Sequence, residues 1–96
     1  MTKRPNILFI MCDQLRQDYL SCYGHSTLDT PNIDSLAKRG VQFTNAYCQA
    51  PECAPSRASF YSGRYLSSHG VMGYEDATRL DEQMISDYLE PLGYRT

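Results

Sequence analysis

Residues 6–13 read NILFIMCD, an apolar run from Ile7 to Cys12 that ends in a carboxylate. A strand with one wet face alternates apolar and polar residues. A run without alternation fits a strand covered on both faces, as in a parallel sheet. The stretch therefore predicts a buried central strand over Asn6 to Cys12 and an α/β fold. In open α/β sheets ligands bind at the carboxyl ends of the strands. Asp13 falls at that end, so it is the first candidate site residue.

The chain that follows is punctuated. LRQDYLSCYGHS reads as mixed turn or short helix ending near Gly24. TPNIDSLAKRG predicts a helix, with Thr30 as N-cap, Pro31 at the first helical position and Gly40 beyond the last. Ile33, Leu36 and Ala37 give it a narrow apolar stripe. Val41, Phe43 and Ala46 or Tyr47 suggest a second strand. Residues 48–56 read as a loop containing prolines, residues 57–62 as a short helix stopped by Gly63, and SSHGVMGYEDATR as loop. In LDEQMISDYLEPLGY a last helix is expected, with Asp81 as cap, Pro91 straining its last turn and Gly93 ending it. A strand, a helix, a strand and a helix do not complete a doubly wound sheet. The 96 residues are expected to be the N-terminal piece of a larger domain.

Composition narrows the function. At 42% hydrophobic and 21% charged residues the chain is of ordinary globular type. A net charge of −2 without a basic stripe argues against a nucleic-acid partner. The start, MTKRPNILFIMCDQ, superficially resembles a signal peptide. Its apolar run is too short, however, and Asp13 and Gln14 stand where a cleavage site would be. No stretch is long and apolar enough to span a membrane. The expectation is a cytoplasmic protein whose four cysteines, Cys12, Cys22, Cys48 and Cys53, are reduced.

The chemistry concentrates in PECAPSRASFYSGRY, residues 51–65. An inert buried thiol is the plain reading of a cysteine, yet Pro51, Glu52 and Pro55 around Cys53 describe a loop. A zinc ligand set fits poorly: Cys48, Cys22 and His25 lie at spacings that match no standard zinc pattern. A cysteine phosphatase would need arginine six positions after the cysteine, and that position is Ser59. A better reading puts Cys53 at the mouth of a helix, where exposed N–H groups and the helix dipole favour an anion. Arg57 adds a permanent positive charge one turn on. Asp13 could hold a hard divalent cation beside this group. Nucleophile, arginine and metal would then surround a sulfate- or phosphate-like group.

The segment CAPSRASFYSGR resembles the signature of the type I sulfatases, members of the alkaline phosphatase superfamily. Its elements here are Cys53, Pro55, Ser56 and Arg57, with Ser56 and Arg57 adjacent, then Ser62, Gly63 and Arg64 after a spacer. RPNILFIMCDQ resembles the family's opening strand with its metal-binding acid. YGHSTLDTPNIDSLAKRGVQFTNAY resembles the stretch leading to the nucleophile loop. The resemblance covers nearly the whole chain. It implies an alkaline-phosphatase-like sheet sandwiched by helices, of which this chain is an incomplete N-terminal part.

It further implies that a formylglycine-generating enzyme oxidises Cys53 to formylglycine, recognising Pro55 and Arg57. The hydrated aldehyde would attack the sulfur or phosphorus of a small-molecule ester, and Arg57 would hold it and offset charge. The implied metal ligands are Asp13 and position 53, with Gln14 either a further ligand or a group that supports one, and Ca²⁺ is favoured over Mn²⁺ or Mg²⁺. A homo-oligomer is a further expectation. Many sulfatases carry two adjacent acids after the first strand, whereas here the pair is Asp13-Gln14. That leans toward the branch containing phosphonate monoester hydrolases and related sulfatases. The family's downstream lysine, histidines and second acid pair fall outside these residues, so the piece alone is expected to be inactive. A non-catalytic truncated fragment is the competing reading. Of the remaining residues, His25 is expected to be structural and not catalytic, His69 to be a loop hydrogen-bonder before a ligand, and Arg64 to pair with an acid or the end of its helix before binding substrate.

Overall fold

The structure, a computed structural model, describes residues 4–96. Met1–Lys3, the first part of the basic start, lie outside the described residues. The chain divides into two compact units, Met1–Thr44 and Asn45–Thr96.

In the first unit, two single 3-10 turns, Gln17–Tyr19 and Ser21–Tyr23, end at Gly24, whose φ of 94° is left-handed. Helix α1 follows over Pro31–Arg39, with Pro31 in its first turn as expected. Thr30 is the N-cap by position, but its hydroxyl does not serve the first-turn N–H groups. It accepts from the Ser21 N–H at 3.1 Å and donates to Asp34 Oδ1 at 3.1 Å. The Ser21 hydroxyl accepts from the Thr30 N–H at 2.8 Å and donates to Asp34 Oδ2 at 2.7 Å. The Cys22 N–H donates to Asp34 Oδ1 at 3.0 Å. These bonds, led by that from Ser21, hold the Asp34 carboxyl below its ordinary range. Gly40 closes α1 in an extended conformation, with φ −120°, and not in the left-handed one.

Neither expected strand forms. Residues 4–12 and 41–47 carry no regular structure, and the described residues contain no strand at all. The apolar run is exposed, with Leu8 at 83% and Ile10 at 69%, and so are Val41 at 79% and Phe43 at 69%. The physical reason is pairing. A strand's N–H and C=O groups need a neighbouring backbone, and none of the described residues supplies one. After α1 the chain is held by side chains instead. The Tyr23 hydroxyl donates to the Phe43 carbonyl at 2.7 Å, and the Gln42 amide to the Cys22 carbonyl at 2.8 Å. The Ile33–Leu36 stripe of α1 is exposed as well.

The second unit holds helices α2 (Cys53–Ser62), α3 (Leu66–His69) and α4 (Ile85–Leu89). The helix expected over 57–62 starts earlier, at Cys53, and takes in part of the expected loop. Pro55 permits this because its missing N–H belongs to the first turn, whose donors have no partner inside a helix. Gly63 stops α2 with φ 68°, a conformation an L side chain resists. Within the expected loop 67–79, Ser67 to His69 belong to α3.

The last helix is shorter than expected and begins after Met84, not at Asp81. The Asp87 carboxylate reaches back to the Met84 N–H at 2.7 Å, one half of a capping box. Asp81 is engaged by Arg79 instead, at 2.9 and 3.0 Å. Around Pro91 the chain tightens to a 3-10 turn, Glu90–Leu92, and Gly93 ends it with φ 81°.

Little apolar surface is buried. Ala50, Ala58 and Val71 are the buried hydrophobic residues, joined by Pro55 and His69. Short-range polar ties, more than a shared core, therefore hold each unit.

Two outcomes follow. Leu8→Lys and Ile10→Lys should leave the circular-dichroism helix signal intact and the urea midpoint equivalent to within about 0.5 kcal/mol, as at a surface; loss of several kcal/mol would show a buried strand. Because Asp34 is depressed in the folded state, its contribution is fully present above the unfolded value of about 3.9 and is lost as pH falls through the lower folded value. Carboxyl NMR should find the Asp34 midpoint below about 3.9; a higher midpoint contradicts the network.

Candidate active site

Cys53 is the first residue of α2, and the preceding residue, Glu52, makes no side-chain cap. The Glu52 carbonyl receives the Ser56 N–H at 3.0 Å. The helix therefore begins with first-turn donors that its N-cap side chain does not cover, the arrangement that attracts anions. Arg57 lies four residues on, one turn along the same face. Pro55, Ala58 and Ser59 are buried on the opposite side. The 3.6-residue period thus separates a chemical face, Cys53 and Arg57, from a packing face.

Ser59 is a polar residue on the packing face and needs a partner there. It finds His69, at the end of α3, with Oγ 2.8 Å from Nε2. The other ring nitrogen, Nδ1, accepts the Val71 N–H at 3.1 Å. A nitrogen that accepts carries no proton, so the neutral ring is protonated on Nε2 and donates to Ser59. His69 is 1% exposed and fully used by these two bonds. It is a hydrogen-bonder, as the sequence suggested, but a buried one.

Cys53 itself is half-buried. Its thiol donates to the Tyr74 hydroxyl at 3.3 Å, a contact the sequence did not announce. Arg64, from the Ser-Gly-Arg end of the motif, pairs with Glu82, with Nη1 3.0 and 3.2 Å from the two carboxylate oxygens. The Glu82 side chain is buried at 1% exposure while Arg64 stays half exposed, so Arg64 here neutralises a buried charge. An open cavity of about 360 Å³ lies at the other end of α2, lined by Gln49, Ser59, Phe60, Gly63, Arg64 and Tyr65. Cys53 is not among its walls, so the cavity is not evidence for the reacting centre.

In the first unit, Asp13 and Gln14 form an exposed turn. Gln14 has φ 53°, the one described non-glycine residue in the left-handed region. Such a backbone is uncommon for glutamine and is concentrated at functional sites. Among the described residues, no three His, Cys, Asp or Glu side chains gather as a metal would require. His25 holds its own turn, with Nδ1 accepting the Leu28 N–H at 2.8 Å.

All four cysteines are free. The Cys22 thiol is pushed up, first by desolvation and then by the Asp34 carboxylate beside it.

The Sulfatase family model matches residues 5–96. An arylsulfatase of Clostridium perfringens is 43% identical over 94 residues, which cover 97% of this chain and 20% of that protein. An ulvan-active sulfatase of Formosa agariphila is 35% identical over 98% of this chain and 19% of its own length. An N-acetylglucosamine-6-O-sulfatase of Bacteroides thetaiotaomicron is 36% identical over 99% of this chain and 17% of its own length. The chain spans about one fifth of the length of these relatives.

The thiols should differ in reactivity. The nucleophile is the thiolate, and a raised pKa leaves less of it at pH 8. Cys22 should therefore be alkylated by iodoacetamide more slowly than the exposed Cys12 and Cys48, with the gap closing as pH rises. Asp34→Asn should speed Cys22 alone. Equal rates for the three at pH 8, read by peptide mass spectrometry, would refute the environment assigned to Cys22.

Proposed function

Because the chain belongs to the sulfatase family, we propose that it is the nucleophile-bearing part of an enzyme that hydrolyses sulfate esters. The observation that carries this reading is Cys53 at the open start of α2 with Arg57 one turn along the same face. The relatives named above are sulfatases, which favours a sulfate over a phosphonate ester. The α/β sheet that the family implies would use residues 6–12 as a strand beside others.

Position 53 would be formylglycine in the working enzyme, an aldehyde whose hydrate supplies the attacking hydroxyl and a second one for release of sulfate. The residues of this chain prepare that step. The first-turn N–H groups of α2 and the Arg57 guanidinium favour an anion, and Arg57 offsets charge that grows on the group in transit. The buried bond between Ser59 and His69 keeps α2 from turning. A divalent cation suits the hard oxygen donors of Asp13 and Gln14. The exposed Asp13-Gln14 turn offers two donors, fewer than the six to eight oxygens Ca²⁺ takes, so ligands from outside this turn are required.

Pro55 is among the fully buried side chains. A formylglycine-generating enzyme that reads Pro55 and Arg57 would have to meet this segment before α2 packs.

The test is the modification. Expressed with the modifying enzyme, Cys53 should lose the elements of H₂S and gain an oxygen in peptide mass spectra, while Cys12, Cys22 and Cys48 stay thiols. Pro55→Ala and Arg57→Ala should cut conversion at least tenfold, and an unfolded peptide of residues 48–66 should convert faster than the folded chain. Retention of the thiol at position 53 in both peptide and chain would remove the proposed nucleophile.

A further inference from the structure

The geometry points to Tyr74 as a positioning residue for the nucleophile: its phenol holds the side chain of position 53 in one orientation. The inference rests on Cys53 being the precursor of the nucleophile. Its basis is the contact between Cys53 Sγ and Tyr74 Oη, 3.3 Å apart and 21 residues distant in sequence.

This contact is built. Tyr74 sits in a segment fastened at one end to α2 through His69 and closed on itself by Asp76. At one end the Val71 N–H donates to His69 Nδ1 at 3.1 Å, and His69 in turn holds Ser59 of α2. Past Val71, the Met72 and Gly73 N–H groups both donate to one oxygen of Asp76, at 2.8 and 2.9 Å. That carboxylate folds the segment into a tight loop, with Tyr74 at its turn. Loop and helix therefore touch twice, through Ser59 in the middle of α2 and through Cys53 at its start. Tyr74 is 70% exposed, so burial does not force the phenol onto Cys53. The loop geometry brings it there.

Two properties of the phenol suit the role. A hydroxyl both donates and accepts, so it can hold a thiol and equally the oxygen that replaces sulfur on modification. It also stays uncharged at neutral pH, since the bond with Cys53 pushes the Tyr74 phenol above its ordinary range, so it orients position 53 without adding charge. A side chain limited to one rotamer starts nearer the attacking geometry than one averaging over three.

The decisive measurement needs no activity. In the unmodified 96-residue chain, the Hα–Hβ scalar couplings of Cys53 report its rotamer populations. The expected result is one dominant rotamer in the wild type and an averaged set in Tyr74→Phe, which keeps the ring and removes the hydroxyl. Asp76→Ala, which frees the loop and leaves both contact residues intact, should average the couplings as well, while the Ser59–His69 contact persists in nuclear Overhauser spectra. Unchanged couplings in Tyr74→Phe would overturn the inference, whatever happens in Tyr74→Ala, because the ring alone would then account for any order. In the modified, sulfate-hydrolysing enzyme, Tyr74→Phe should lower kcat about fivefold with KM within about twofold, the pattern of a hydrogen bond that serves the reacting geometry. An equal change in KM with kcat unchanged would make Tyr74 a binding residue and count against positioning. If Cys53 proves never to be converted, the function assigned above fails, and the couplings still decide whether Tyr74 holds it.

Discussion

The second unit depends on one buried hydrogen bond, that between His69 Nε2 and Ser59 Oγ. With three buried hydrophobic residues in the described chain, apolar packing alone sets little. A typical intramolecular hydrogen bond contributes about 1 kcal/mol net, but a buried polar group left without a partner costs about 1–3 kcal/mol. That asymmetry gives the pair its directing power: a compact arrangement that packs α2 on α3 in another register buries a hydroxyl and an imidazole without partners. The same ring fixes what comes next, because Val71 must bring its N–H to Nδ1. One histidine thereby sets the rotation of α2, the position of α3 and the direction in which the chain leaves toward Tyr74. In the first unit the Asp34 carboxylate has the same organising part, gathering Ser21, Cys22 and Thr30 around the start of α1.

Signals that act over a few residues were readable from the chain alone. The turn at Gly24, the span of α1 from Thr30 to Gly40 and the stop at Gly63 all follow from backbone chemistry within a turn or two. The pairing of Arg64 with an acid was also foreseeable in kind, though not its partner, Glu82. The start of α2 was misjudged because two prolines close to Cys53 suggested a loop. Pro51 does lie outside the helix, but Pro55 occupies a position where the absent N–H removes no bond.

What was not legible is contact between distant residues. Nothing local to Cys53 names Tyr74, and Ser59 shows only that some partner is needed. A polar residue on a buried stripe is the one signal that could have led to His69. The strands failed for a different reason. An apolar run such as Ile7 to Cys12 expresses what would cover it, and strand structure is a property of a pair. Alternation or its absence predicts the surroundings a segment suits, and the described residues do not supply them.

The motif around Cys53 serves two demands that the helical period keeps apart. Pro55, Ala58 and Ser59 face inward and make α2 part of a packed pair. Cys53 and Arg57 face the other way and set the field at its start. Because neighbours in sequence point in different directions, twelve residues from Cys53 to Arg64 can be dense with requirements without conflict. Glu52 sharpens this division. An acid at the N-cap of α2 opposes an incoming anion, yet its side chain makes no bond to the helix and stays exposed, where water and salt screen it. Arg57, by contrast, lies within the helix that begins at Cys53. The electrostatic bias toward an anion therefore comes from the groups α2 itself holds in place, its first-turn N–H donors and Arg57. The contact on the Cys53 side chain comes from Tyr74, in the loop that follows His69.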